Sequence, residues 1–165
     1  MSDPVRAAYA AGLAMLARRE LSEAQVRERL ARREHAAEAI ESAVSRLREV
    51  GAVDDRRVAR NAALTEAKIK SRGRARICRH LQAIGIATDV ADEALDEVFG
   101  ALDESALLER ALGRRLRGPA ARIRDAAHFR RLLQALVRQG FSPSAVITAL
   151  KARAKRDVVP EDEPE

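Results

Sequence analysis

Basic side chains crowd two stretches of this sequence. Lys68, Lys70, Arg72, Arg74, Arg76 and Arg79 fall within twelve residues, and no acid occurs between Glu66 and Asp89. A second cluster comprises Arg110, Arg114, Arg115, Arg117, Arg122 and Arg124. Guanidinium groups pair bidentately with phosphate or carboxylate. Positive charge without counter-charge repels itself, so these stretches are candidates for contact with a polyanion or an acidic protein surface. The candidate partner- or DNA-binding residues are Lys68, Lys70, Arg72, Arg74, Arg76, Arg79, Arg110, Arg114, Arg115 and Arg117. The plainer alternative is an ordinary solvated helix face, and an arginine bias in base composition would give the same residues.

Catalytic chemistry finds little footing. His35, His80 and His128 are far apart in sequence, and Cys78-x-His80 lacks further ligands at metal spacing. There is no Walker loop, glycine-rich dinucleotide turn or nucleophile elbow. Asp54-Asp55 is explained by the start of a helix, where acids cap free N–H groups and meet the positive end of the dipole. Cys78, beside Ile77 and Leu81, reads as a small core residue. The expectation is a non-enzyme with no metal and no cofactor.

The chain has 165 residues and is 47% hydrophobic but only 2% aromatic, so its core must be thin, built of Leu, Ala, Val and Ile between close helices. No apolar run is long enough to span a bilayer. The N-terminal stretch has an acid and a proline at its start, which argues against a signal peptide. A lone cysteine rules out an internal disulfide framework and suits a reducing, cytoplasmic compartment. Net charge is +6, and setting aside the five acids of residues 157–165 leaves +11 on residues 1–156.

Helical spacing runs through the chain. Asp3-Pro4 opens a first helix, with Asp3 as its cap and Tyr9, Leu13 and Leu16 as its inner stripe. Ser22 to Gln25 is a capping box, followed by Val26 and Leu30 inward. Ile40, Ala43, Val44, Leu47 and Val50 line a third helix that ends at Gly51. Asp54-Asp55 opens the next, with Val58, Ala62 and Ile69 inward, and it breaks near Ser71-Arg72-Gly73. Ile77, Leu81 and Ile84 then recur on one face before Gly85. Val90, Ala94, Leu95 and Val98 follow. Asp103 caps a helix lined by Leu108, Ala111, Leu112 and Leu116, with Arg110, Arg114 and Arg117 as a separate basic face. Residues 122–139 read as helix, Gly140-Phe141 as a turn, and Ser142-Pro143 as the cap of a last helix.

These elements repeat. Val26, Ile77 and Leu132 correspond, as do Leu30, Leu81 and Leu136. Glu34, Gly85 and Gly140 occupy a turn, followed by His35, Ile86 and Phe141. The period is about 51 and then about 55 residues, which predicts an all-α, elongated, right- or left-curving array of three tandem three-helix repeats. The divisions are 1–53, 54–103 and 104–156, with a disordered acidic tail over 157–165.

A helix-turn-helix reading of the central repeat fails on charge. Its recognition helix would be Thr88 to Phe99, which carries Asp89, Asp92, Glu93, Asp96 and Glu97 and no base. Specific readers place Arg, Asn or Gln there. That helix either contacts a basic partner or neutralises a neighbouring repeat.

The chain resembles the RecX family of regulatory proteins. The resemblance rests on Leu16 to Glu23 with Val26 and Leu30, Leu47 to Asp55 with its Gly-x-x-Asp-Asp, and Arg57 to Arg60. It continues through Ser71 to Gly73 with Ile77 and Leu81, Gly85-Ile86, and Gly140 to Ser142 with Val146 and Ala149. Glu34 departs from the usual glycine, and Val58 replaces a common phenylalanine. The resemblance implies three tandem three-helix repeats and binding to the RecA–single-stranded DNA filament. It also implies inhibition of RecA ATPase and strand exchange, and so modulation of recombination and the SOS response. Expected partners are the RecA filament and single- or double-stranded DNA through its phosphates, with no membrane and a monomeric state. The alternative is a basic helical-repeat DNA-binding protein without a dedicated RecA role.

Overall fold

The structure, a computed structural model, describes residues 2–116 and 122–158. Among the described residues all regular structure is helical, in nine helices: α1 (Asp3–Leu16), α2 (Glu23–Ala31), α3 (Ala37–Glu49), α4 (Asp55–Lys68), α5 (Arg74–Ala83), α6 (Thr88–Gly100), α7 (Glu104–Arg115), α8 (Ala126–Arg138) and α9 (Pro143–Val158). The all-α repeat reading of the sequence holds.

The three aligned turns share one geometry. Glu34, Gly85 and Gly140 all have positive φ, at 61°, 81° and 100°. The N–H groups of His35, Ile86 and Phe141 donate to the carbonyls of Leu30, Leu81 and Leu136 at 3.3, 3.0 and 3.3 Å. The turn residues themselves donate to Ala31, Gln82 and Val137. This paired bonding of a helix end through a left-handed residue is a Schellman motif, which satisfies carbonyls the helix leaves free. Ile86 and Phe141 are buried, supplying the apolar contact that usually accompanies it.

Two of these turns also join one repeat to the one before. The Ser22 hydroxyl, at the start of α2, donates to the Ile84 carbonyl. A Cβ on Gly85 would collide with the Cβ of Ala24. At the start of α5 the Gly73 N–H donates to the Gln139 carbonyl at 3.0 Å, and the Ala75 N–H donates to the Gly140 carbonyl at 3.3 Å. A Cβ on Gly140 would lie 2.6 Å from the Gly73 carbonyl oxygen, which no real side chain does. Ser22 and Gly73 are aligned positions, as are Ile84 and Gln139, so the same junction is built twice. Glu34 belongs to the one turn that has no such junction among the described residues, so its side chain is tolerated there.

The described residues form two compact units, one of residues up to 63 with 80–97, the other of 64–79 with those from 98 onward. Each unit contains one junction. In the first, α1 packs on α3. Ala8 and Gly12 permit the close approach, for a Cβ on Gly12 would stand 2.7 Å from Leu47 Cδ1. Here the capping box at Ser22 and Gln25 forms, and the Asp55 carboxylate accepts the Glu23 N–H at 2.8 Å. Asp54 caps its own helix, accepting from Arg56 and Arg57. The paired acids thus serve two different helix starts. In the second unit α7, α8 and α9 pack on one another, with Asp103, Asp125 and Ser142 as caps.

Several expectations need correction. Leu13 is 39% exposed, and the buried stripe of α1 is Ala8, Gly12 and Met15. Small residues carry this contact because they let the helix axes close up, and burying Leu13 would turn Gly12 away from Leu47. Val50 and Ile69 are 63% and 66% exposed, each just past the end of a helix whose buried stripe has already finished. The stripe of α4 runs through Val58, Ala59, Ala63 and Ala67. The cap of α1 is Ser2, α8 begins only after Asp125, and Cys78 is half-buried.

Candidate polyanion-binding groove

The basic stretch from Lys68 to Arg79 contains a bend. α4 ends at Lys68, the chain turns through Ser71 at a φ of 49°, and α5 starts at Arg74. Ser71 is one of two non-glycine residues with positive φ among the described residues, a conformation that costs about 1–3 kcal/mol unless the surroundings enforce it. The surroundings do so here. Gln139, at the end of α8, donates through Nε2 to the Ser71 carbonyl at 2.7 Å. Arg114 of α7 donates through both terminal nitrogens to the Ile69 carbonyl, each at 3.1 Å. Arg115 donates to Gln139 Oε1 at 3.0 Å, and Arg76 to the Arg138 carbonyl at 3.4 Å.

These side chains line an open groove of about 580 Å³. Its six cations are Lys70, Arg72, Arg76, Arg114, Arg115 and Arg138. Beneath them Glu66, only 3% exposed, pairs with Lys70 at 2.6 Å and with Arg72. Among the described residues, Arg76, Arg114 and Arg115 donate to carbonyl or amide oxygens. Such acceptors fix a guanidinium in place without cancelling its charge, so the groove is both ordered and positive. It can receive phosphate or carboxylate groups.

Of the ten residues expected from the sequence, Lys70, Arg72, Arg76, Arg114 and Arg115 come together in this groove. Lys68, Arg79 and Arg110 are exposed and do not line it, and Arg74 is half-buried outside it. Arg117 lies outside the described residues. Arg138 and Gln139 were missed. Their signal was their place in the repeat: they immediately precede Gly140, at the turn that docks on Gly73.

The acidic helix α6 finds its partners within the first unit. Glu93 pairs with Arg56 at 3.5 Å and Glu97 with Arg60 at 2.7 Å, both pairs exposed. It therefore neutralises bases on α4. Among the described residues no group of three or more His, Cys, Asp or Glu side chains could hold a metal ion. No helix among them is long and apolar enough to cross a membrane.

Fold and groove together define a helical-repeat protein with an arginine-lined groove. Residues 8–47 match the family profile described as RecX, first three-helix domain. Two solved structures share the fold over nearly the whole chain. The crystal structure of RecX from Lactobacillus salivarius matches with a TM-score of 0.75 and 18% identity, covering 92% of this chain and 99% of that one. A crystal structure of regulatory protein RecX matches with a TM-score of 0.74 and 25% identity, covering 91% of this chain and 72% of that one. The chain is thus similar to RecX proteins in sequence over residues 8–47 and in fold over nearly its whole length. No curated protein sequence matches it significantly.

Proposed function

We propose that this protein regulates the RecA recombinase, binding RecA–single-stranded DNA filaments and inhibiting their ATPase and strand exchange. It thereby modulates recombination and the SOS response. The reading rests on the match of residues 8–47 to the first three-helix domain of RecX and on the fold shared with two RecX structures. The observation that carries it to particular residues is the groove, where six cations gather and the guanidinium groups of Arg76, Arg114 and Arg115 sit on neutral acceptors. In this reading the groove meets acidic protein surface or DNA phosphates of the filament, and the protein acts as a monomeric, cytoplasmic docking factor without chemistry of its own.

The test is DNA-dependent ATP turnover by RecA filaments titrated with wild-type protein and with Arg76→Glu/Arg114→Glu. Wild-type protein should suppress turnover and the variant should need far higher concentration. Unchanged turnover at saturating wild-type protein sinks the proposal. The same groove suits phosphate without RecA, which keeps a second reading in play: a basic DNA-binding protein. Salt-steep binding to naked DNA together with no effect on RecA would select that one.

A further inference from the structure

The first unit holds a second arginine cluster, separate from the groove, where α1 and α2 both end. Arg18, Arg19, Arg29, Arg32 and Arg33 surround a pocket of about 560 Å³ whose floor is Ala14 and Met15. Arg32 pairs with Glu28 at 2.6 Å. Among the described residues no ion pair engages Arg18, Arg19, Arg29 or Arg33. Glu20, the acid nearest Arg19 in sequence, is directed to Arg57 and Asn61 at 2.8 and 2.9 Å. No acidic residue lines the pocket.

Arginines at helix C-termini are favourable on their own, since they meet the negative end of the dipole. That accounts for single residues and not for five around one apolar floor. Two features separate this pocket from a nucleic-acid track. It is a half-open hollow whose lining includes the apolar Ala14 and Met15, and no aromatic side chain lines it to stack a base. Its apolar lining is the exposed Ala14 and the edge of Met15, a mostly buried but adaptable side chain. An arginine rim over such a floor complements a segment that alternates carboxylates with apolar side chains.

We infer that the Arg18–Arg33 pocket is a docking site for an acidic protein segment bearing apolar side chains, distinct from the groove of the second unit. The carboxylates would bridge to Arg18, Arg29 and Arg33, and an apolar side chain would enter over Ala14 and Met15.

The probe is a fluorescein-labelled peptide of alternating glutamate and leucine, compared with an all-glutamate peptide of equal charge and with a labelled oligothymidylate. Fluorescence anisotropy should show the mixed peptide binding wild-type protein at least about tenfold tighter than either other probe, a difference of 1.4 kcal/mol. Arg29→Glu/Arg33→Glu should abolish that preference. Ala14→Glu, a change at an exposed helix position, should do so as well and provides a second route if the double variant fails to fold. Arg76→Glu/Arg114→Glu should leave peptide binding unchanged, so failure of the groove reading and failure of this one are distinguishable. Absence of peptide binding, equal binding of the oligonucleotide with loss in the same variants, or loss only in the groove variant would each overturn the inference.

Discussion

Two arginine-rich faces of this molecule begin on the same helix and end differently. On the first half of α4, Arg56 and Arg60 meet the carboxylates of Glu93 and Glu97. Beyond its end, Lys70, Arg72 and Arg76 join Arg114, Arg115 and Arg138 around a groove. There the hydrogen bonds of three guanidinium groups go to uncharged oxygens, and Glu66 serves Lys70 and Arg72. The number of arginines does not distinguish the two faces. What they are bonded to does: a carboxylate consumes the charge, whereas a carbonyl holds it in position for something else.

The comparison breaks most completely at Gly140. The backbone of the α8–α9 turn touches the start of α5 there. Gly140→Ala combines a positive φ with a backbone clash, so it should cost more than about 3 kcal/mol. It should also scatter the groove, leaving the α4–α6 face intact. Thermal or denaturant unfolding checks this, and a loss below 1 kcal/mol would show that the junction is looser than described. The counterpart at the first turn should have the opposite sign. Glu34→Gly relieves a left-handed residue outside any such junction and should stabilise by about 1 kcal/mol.

Gln139→Ala sharpens the comparison at a single side chain. It removes the amide that joins Arg115 to the Ser71 carbonyl, at a cost of about 1 kcal/mol. Filament inhibition should weaken while the groove charge is unchanged, separating order from charge. On the other face, Arg60→Ala removes an exposed pair worth about 0–1 kcal/mol, and neither stability nor inhibition should change much.

Asp55 gives the smallest effect, visible only against pH. Burial pushes its carboxyl up, the Glu23 N–H bond opposes this, and the nearby Glu23 charge adds to the rise. A carboxyl raised in the folded state contributes stability that is fully present below the unfolded value, about 3.9, and is lost as pH rises through the folded one. Asp55→Asn should therefore gain in melting temperature relative to wild type between acidic and neutral pH. A difference independent of pH would contradict the burial described.

Much of the fold was legible because its signals are local. The Ser22–Gln25 capping box, Asp103, Ser142 and the positive-φ turns at Gly85 and Gly140 each declare themselves within a few residues. The repeat alignment placed Glu34 at the turn, but a non-glycine there suggested a different shape, and the backbone instead takes the same left-handed conformation as Gly85 and Gly140. Leu13 misled because spacing of three and four marks a stripe without saying that Ala8 and Gly12 make the closest approach. Half of the expected groove residues converge, but sequence clusters could not show that Arg138 and Gln139 complete the wall, Arg138 standing 62 residues beyond Arg76. Nor could charge alone show that α6 answers α4, since that pairing joins residues 37 apart in both cases.

The most direct test compares reversals on the two faces in one assay. Affinity for RecA filaments should be measured across salt for wild type, Arg76→Glu/Arg114→Glu and Arg56→Glu/Arg60→Glu, with folding verified for each. The groove variant should lose at least about tenfold in affinity, 1.4 kcal/mol, and show a flatter salt dependence. The α4–α6 variant should stay near wild type. Equal losses from both reversals would contradict the account.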